Sequence, residues 1–399
     1  MKHLIFWTAL LGLSFTSQAL TLDEATELAR KNSPRLKAEH ARQQAAIRSA
    51  DIAGLWENPE IEVEAEGVDG DNDGFNQAEY AVMLSQKIPF GGVSKNRRLV
   101  AGQLARMQAE TVLGSTRALD AQVRTAFSEA QAQQEILRIR RNQEKLGREF
   151  AEAAKKRHEA GGASELEAVQ ADLALEEILL EMKCCFGDMD SARKSLASVL
   201  GLPLEELNEL SGDFYQLASA EKLTVDESHP ALQWLSAQEE MTRAEARLAK
   251  IGNTRNLSLG AGVKYDAADE AQSFVVAASI PLSIRKTGRV ENEAALLRAE
   301  ALRAERDQMQ RDLQRELDQV SLLYQSAATE AAQYEQRIIP KAEQAYALSR
   351  KGYEAGRYSW MELLEAQQNL AGIQIQYVEA VLEAQKAAAT LTQFKSGEE

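Results

Sequence analysis

The sequence has 399 residues, with 61 acidic against 46 basic side chains and a formal net charge of −15 at neutral pH. Nucleic-acid binding depends on basic surfaces facing phosphates, so a chain this acidic does not fit that class and suits the attraction of cations. With four histidines and two cysteines, of which His40, His158 and His229 lie far apart, and with no phosphate loop, nucleophile elbow or zinc-ligand spacing, neither an enzyme nor a cofactor is expected.

Lys2 and His3 precede an apolar run from Leu4 to Leu13, which leads to the small-x-small pattern Ser17-Gln18-Ala19. This is the charge, core and cleavage-site order of a signal peptide over residues 1–19. No cysteine lies near the cut to carry a lipid anchor. Nothing beyond residue 19 is long and apolar enough for a membrane helix, so any membrane crossing must use strands.

Helical sequence opens near Ser33-Pro34-Arg35-Leu36. Two strands follow, at about 60–68 and 79–88. In the first, Ile61-Glu62-Val63-Glu64-Ala65-Glu66 alternates apolar and acidic residues, and in the second Tyr80, Val82 and Leu84 alternate with Ala81, Met83 and Ser85. Between them, Asp69-Gly70-Asp71-Asn72-Asp73-Gly74 matches the start of a calcium loop. Its flanks read as strands rather than helices, which favours an acidic hairpin loop over a calcium site.

A long helix spans about 92–159. Ala105, Ala109, Val112, Thr116, Leu119, Val123, Ala126 and Ala130 repeat at four- and three-residue spacing, which places them on one stripe that must bury against neighbouring helices. Glu159-Ala160-Gly161, followed by Gly162, breaks this helix, and a return helix covers 164–200. It carries the adjacent Cys184 and Cys185, which read as small apolar seam residues rather than, with Met182, a soft-metal contact. Adjacent cysteines rarely bridge each other.

After a connection over 201–226 the pattern starts again and runs over 227–393. Strands are expected at about 257–265 and 273–282, a long helix over 288–355 with a local kink at Pro340, and a return helix over 359–393. A tail of 394–399 ends the chain. Leu313, Leu317, Val320, Tyr324, Ala327, Ala331, Tyr334 and Ile338 form the second stripe. Glu354-Ala355-Gly356 repeats the earlier break at an offset of 195 residues, and Ser164/Ser359, Glu167/Glu362, Ala171/Ala366 and Leu175/Leu370 keep that offset. Such a long period means an internal duplication of one helix–strand–strand–long helix–helix unit, with repeats over 20–200 and 227–393.

Four strands cannot close a barrel, and lipid does not tolerate open sheet edges. If the strands cross a membrane, two or three subunits must share one barrel. The helices alone would equally suit a soluble periplasmic coiled-coil scaffold, but the strands would then need a second apolar layer that the chain does not offer.

In its duplicated unit, Thr21-Leu22-Asp23-Glu24-Ala25, Ile88-Pro89-Phe90-Gly91-Gly92, the repeated Glu-Ala-Gly break and Leu363-Leu364-Glu365-Ala366-Gln367, the chain resembles the TolC-like outer membrane factor family over its whole exported length. Asn58-Pro59-Glu60-Ile61 is most similar to the CzcC branch, which serves heavy-metal cation pumps. The resemblance implies a mostly α fold with a small transmembrane β part. Three chains would form a twelve-stranded β-barrel and a twelve-helix coiled-coil tunnel in the outer membrane and periplasm, with 201–226 and the tail in an equatorial girdle. It implies a homotrimer in contact with outer-membrane lipid, a periplasmic adaptor protein and an inner-membrane resistance-nodulation-division (RND) transporter as partners, and a passive exit duct for metal cations. Drug efflux or type I secretion uses the same architecture.

If Ile61, Val63 and Ala65 meet lipid, Glu62, Glu64 and Glu66 line the barrel lumen and favour cations. The resemblance further places a periplasmic gate at Glu362 and Glu365, with Tyr353 as the tip tyrosine. Tyr358 stands at the family's arginine position, with Arg357 beside it, and Glu167 is the acid kept in the first repeat. Gly161, Gly162 and Gly356 would form the turns on which the adaptor docks.

Overall fold

The computed structural model describes residues 19–68, 78–217, 223–251, 256–281 and 287–395. The expected signal peptide, except Ala19, and the Asp69–Asp73 loop lie outside the described residues. The chain divides into two units, one of Met1–Pro34, Thr116–Thr224 and Glu316–Gly397, the other of Arg35–Ser115 and Val225–Arg315.

The first unit begins with α1 (Leu22–Asn32). Its start is fixed by a reciprocal cap in which the Glu24 backbone N–H donates to Thr21 Oγ1 at 3.3 Å and the Thr21 N–H donates to Glu24 Oε2 at 2.9 Å. Such a box satisfies two donors that a helix start otherwise leaves open. Ala25 and Ala29 are fully buried against Val123 and Phe127 of α3 (Val93–Glu159) and Leu196 and Leu200 of α4 (Glu165–Leu200). Small side chains on α1 are what let three helices meet this closely. Ahead of α1, Leu20 forms a β-bridge with Leu210 and is buried in the same cluster. The connection after α4 is thereby tied down, and Tyr215 adds to this by donating to Glu135 Oε2 at 3.0 Å and stacking on Tyr377.

The stripe expected in the second long helix is buried as spaced. Between Leu313 and Ile338 the buried residues are Leu317, Tyr324, Ala327 and Ala331, all of them on that stripe. Tyr324, Ala327 and Ala331 pack on Ala371, Val378, Val381, Ala384 and Ala387 of α8 (Trp360–Leu391) and on Phe214. In the first stripe Val112, Val123, Ala126 and Ala130 are buried.

The second long helix is not continuous over 288–355. α6 (Thr287–Gln333) passes through a π-turn at Tyr334–Ile338 into α7 (Ile339–Glu354). Pro340 has no N–H, and its ring clashes with the carbonyl four residues back. The backbone answers by widening one turn, with the Ile339 N–H donating to Tyr334 O. The buried stripe slips accordingly, from Ile338 to Ala342 and Tyr346 instead of 341 and 345. The kink therefore sits one turn before the proline, where a single surplus residue is accommodated.

The second unit holds α2 (Pro34–Ile52) apart from its first residue, α5 (Pro230–Ile251), and the first stretches of α3 and α6. Arg106 and Arg247 join α3 to α5 through Gln233 and Asn96, and Asn292 of α6 donates to Ala246 O at 2.7 Å. One antiparallel sheet runs β1 (Glu60–Glu66), β2 (Glu79–Pro89), β3 (Asn256–Asp266) and β4 (Ala271–Ser279), in sequence order. Two strands stop earlier than expected: β1 ends before Gly67, and β4 ends before Ile280-Pro281, where the proline cannot donate to a ladder. At Gly262 the backbones of β2 and β3 come so close that a Cβ would lie 2.2 Å from Val82 O, so only glycine fits there.

Candidate functional site

The register sorts the strand residues into two faces. Val63, Val82, Val263 and Phe274 form one cross-strand row, and Ile61, Leu84, Ala261 and Val276 form the next. This apolar face is bare: Phe274 is 91% exposed, Val276 83% and Val63 75%. Trp56 and Phe90 stand exposed just outside the ends of β1 and β2 where the helices attach, the places that interfacial aromatics occupy in membrane barrels.

Glu62, Glu64 and Glu66 share the opposite face with Ala81, Met83, Gly262, Lys264 and Ser273. The expected grouping of the three acids holds, but the face is not purely acidic. Lys264 pairs with Glu79 and lies 4.0 Å from Glu66, which offsets part of the negative charge at the end of the sheet near the hairpin loops. Glu62 and Glu64 form no ion pair within 4.0 Å among the described residues. Lys264 alternates in phase with the small residues of β3, a signal that gains meaning only once β3 is paired with β2.

In the first unit two helix–turn–helix tips have the same geometry. After α3 the Gly162 N–H donates to Arg157 O at 2.7 Å, and after α7 the Arg357 N–H donates to Gly352 O at 2.8 Å. Between them Gly161 and Gly356 adopt φ of 73° and 69°. This left-handed stop satisfies carbonyls at the helix end and favours glycine. A Cβ at Gly356 would meet nothing within 4 Å, so the backbone conformation, not space, demands glycine.

The hairpins then diverge. Ser164 and Ser359 each cap a return helix by accepting from the residue three positions on. Glu362 completes a capping box, its Oε2 accepting from the Ser359 N–H at 2.7 Å and from Ser359 Oγ at 2.9 Å. Those bonds hold its carboxyl below the usual carboxylate range. Their stabilising effect is present at neutral pH and lost as the pH falls through that lowered value. Glu167 instead faces Arg157 at 3.5 Å. Arg157 also donates to Tyr353 Oη at 2.7 Å and lies over the Tyr353 ring, 5.5 Å from its centroid. One arginine thus links an acid of the first hairpin to the tip tyrosine of the second.

Tyr358 packs its ring against Gly352, where a Cβ would lie 2.0 Å from Cδ2. Arg357 and Glu365 are exposed. Trp360 and Leu364 are buried with Ala154, Ala171 and Ala174 beneath these groups. Sequence reading missed Arg157, Trp360 and the buried Gln367; the first lies in a run of basic residues that looks like an ordinary helix end. Cys184 is exposed and Cys185 buried, neither in a disulfide. Burial pushes the Cys185 thiol up, against the opposing effect of Arg140.

The profile of the outer membrane efflux protein family matches residues 25–202 and 224–395. The chain belongs to this family. It is an outer-membrane efflux channel protein and not an enzyme, which sets aside the soluble periplasmic scaffold. Over 314 residues it is 26% identical to the cobalt-zinc-cadmium resistance protein CzcC of Cupriavidus metallidurans, covering 76% of this chain and 74% of that one. Its fold is similar to that of the crystal structure of CusC, with a TM-score of 0.77, 16% identity and coverage of 94% of this chain and 92% of that one. The open-state Neisseria gonorrhoeae MtrE outer membrane channel gives a TM-score of 0.75 at 15% identity, covering 93% of this chain and 88% of that one.

Proposed function

We propose that three copies of this outer-membrane efflux protein, each an exported and internally duplicated chain, close one twelve-stranded barrel and a twelve-helix periplasmic tunnel that lets heavy-metal cations out passively. The four-stranded sheet carries this reading. Among the described residues nothing covers its apolar face, and its two edges, β1 and β4, are unpaired, which lipid would not tolerate. Each edge finds its partner if β4 of one chain pairs with β1 of the next. The exposed Leu166, Val169, Leu173 and Leu180 on α4 and Leu322 and Leu323 on α6 support burial of the helices between chains as well. Repeated elements at both tips, and a family match in two stretches, support the duplication.

Metal cations are favoured over drugs or secreted proteins by the likeness to a cobalt-zinc-cadmium resistance protein and by Glu62 and Glu64 on the polar face. Energy would come from an inner-membrane RND transporter through a periplasmic adaptor. Deleting the coding sequence is expected to lower tolerance to zinc, cobalt, cadmium, nickel or copper while leaving drug tolerance unchanged. Lost drug tolerance with normal metal tolerance would favour the drug-efflux alternative.

The tips at Gly161, Gly162 and Gly356 are the proposed adaptor contacts. Gly356→Val imposes a left-handed backbone on a β-branched residue, a strain of roughly 1–2 kcal/mol. It is expected to reduce cross-linking to the adaptor while leaving insertion in the outer membrane intact. Unchanged cross-linking would place docking elsewhere.

A further inference from the structure

Beneath the sheet, α3 carries a groove of about 360 Å³ lined by Ser94, Lys95, Arg98, Leu99, Gly102 and Gln103, a volume at the small end of ligand sites. Lys95 and Arg98 are exposed and have no ion-pair partner within 4.0 Å among the described residues. The first turn of α3 contains no acid, and cations there oppose the helix dipole, so local helix stability does not explain them. Gly102 lies inside the helix where a Cβ would meet nothing within 4 Å. Packing does not require a glycine at that point, and its effect is to deepen the groove. Gln103 Oε1 is buried and has no hydrogen-bond partner among the described residues.

The side of α3 on which the groove opens follows from Arg97. Its guanidinium lies 3.9 Å from Glu57, and Lys87 spans Glu57 at 3.9 Å and Glu60 at 2.6 Å. Glu60 is in phase with Glu62 and Glu64, so this charged cluster belongs to the polar face of the sheet. At about 100° per residue, Lys95, Leu99 and Gly102 point roughly 140–160° away from Arg97 around the helix, and Arg98, about 100° away, holds its guanidinium beside Gly54. The groove therefore opens on the side of the apolar face. Lys95 follows closely on Pro89, the last residue of β2, and so sits at the level where an apolar belt gives way to headgroups.

We infer that this groove binds the phosphodiester headgroup of a phospholipid in the periplasmic leaflet. Lys95 and Arg98 hold the phosphate, a headgroup amine or hydroxyl donates to Gln103 Oε1, and an acyl chain leaves past Leu99 toward the apolar face. The inference rests on the reading that this face meets lipid.

The test uses the purified full-length protein, delipidated in detergent, with native mass spectrometry after addition of phosphatidylethanolamine, phosphatidylglycerol or inorganic phosphate. Wild type is expected to retain one phospholipid per chain. Lys95→Gln with Arg98→Gln, and separately Gly102→Leu, which fills the groove and keeps both charges, are each expected to weaken retention about tenfold or more. Arg97→Gln, on the polar side, is expected to retain lipid as wild type does. Undiminished retention in either groove variant overturns the site, and displacement of the lipid by inorganic phosphate overturns the lipid assignment in favour of a free anion. Insertion into vesicles is measured separately: variants that insert normally but keep their lipid overturn the groove alone, whereas wild type that fails to insert overturns the barrel.

Discussion

Val63→Arg and Val276→Arg are each expected to destabilise the assembled barrel by about 2–4 kcal/mol, the cost of a cation in mid-bilayer on the outer face of a barrel. Both residues sit mid-strand in adjacent rows of the apolar face, where no side chain among the described residues covers them. Arginine there must either stay in hydrocarbon or drag water and headgroups inward. Glu64→Gln changes a residue one position away but on the other face, and is expected to leave assembly intact. Urea titration of the oligomer, read by its mobility on unheated gels, separates the two outcomes. Equal behaviour of the three variants would mean that this assignment of the two faces is wrong.

The second large effect is expected at the periplasmic tips. In planar bilayers the channel should conduct cations selectively and be blocked by di- or trivalent ions added from the periplasmic side, because a ring of carboxylates attracts and holds multivalent cations. The family resemblance implies that Glu362 and Glu365 supply this ring together. Glu362 and Glu365 are both exposed, but the Glu362 carboxylate is engaged in capping α8, which leaves Glu365 as the acid with no hydrogen bond or ion pair among the described residues. Glu365→Gln is therefore expected to weaken the block about tenfold or more, a change of roughly 1.4 kcal/mol in ion binding. Glu362→Gln keeps a side chain able to complete the cap and should change the block less. Replacing Glu62, Glu64 and Glu66 together with glutamine tests the barrel acids as the competing source. Block undiminished in the Glu365 variant but lost in the triple variant would move the ring to the barrel.

The legible parts of this fold are periodic ones. Alternation in β1 to β4 predicts both faces of the sheet, and four-three spacing predicts that Leu317, Tyr324, Ala327 and Ala331 are buried. Pairings between residues far apart in sequence were not legible. Lys264 meets Glu79, and Arg157 meets Tyr353, only because the fold brings together segments nearly two hundred residues apart. Glu362 is a different case: Ser359-Trp360-Met361-Glu362 has the spacing of a capping box, as Thr21 to Glu24 does. That local spacing points to the cap independently of the gate role that the family resemblance implies. The slip of the buried stripe beyond Ile338 was equally visible, and it marks the π-turn.

That π-turn acts as a rotational setting for everything beyond it. The widened turn absorbs one surplus residue, so the chain beyond it leaves at the angle it would have reached one residue earlier in an unbroken α-helix. Removing one residue there would leave Ala342, Tyr346 and Tyr353 close to where they stand, whereas forcing α pitch at unchanged length would turn them by roughly 100° about the helix axis. Tyr353 would then no longer point toward Arg157. The aim of the tip is thus indexed by the pitch of a five-residue segment more than a dozen positions upstream, where straightening the turn is more disruptive than shortening it.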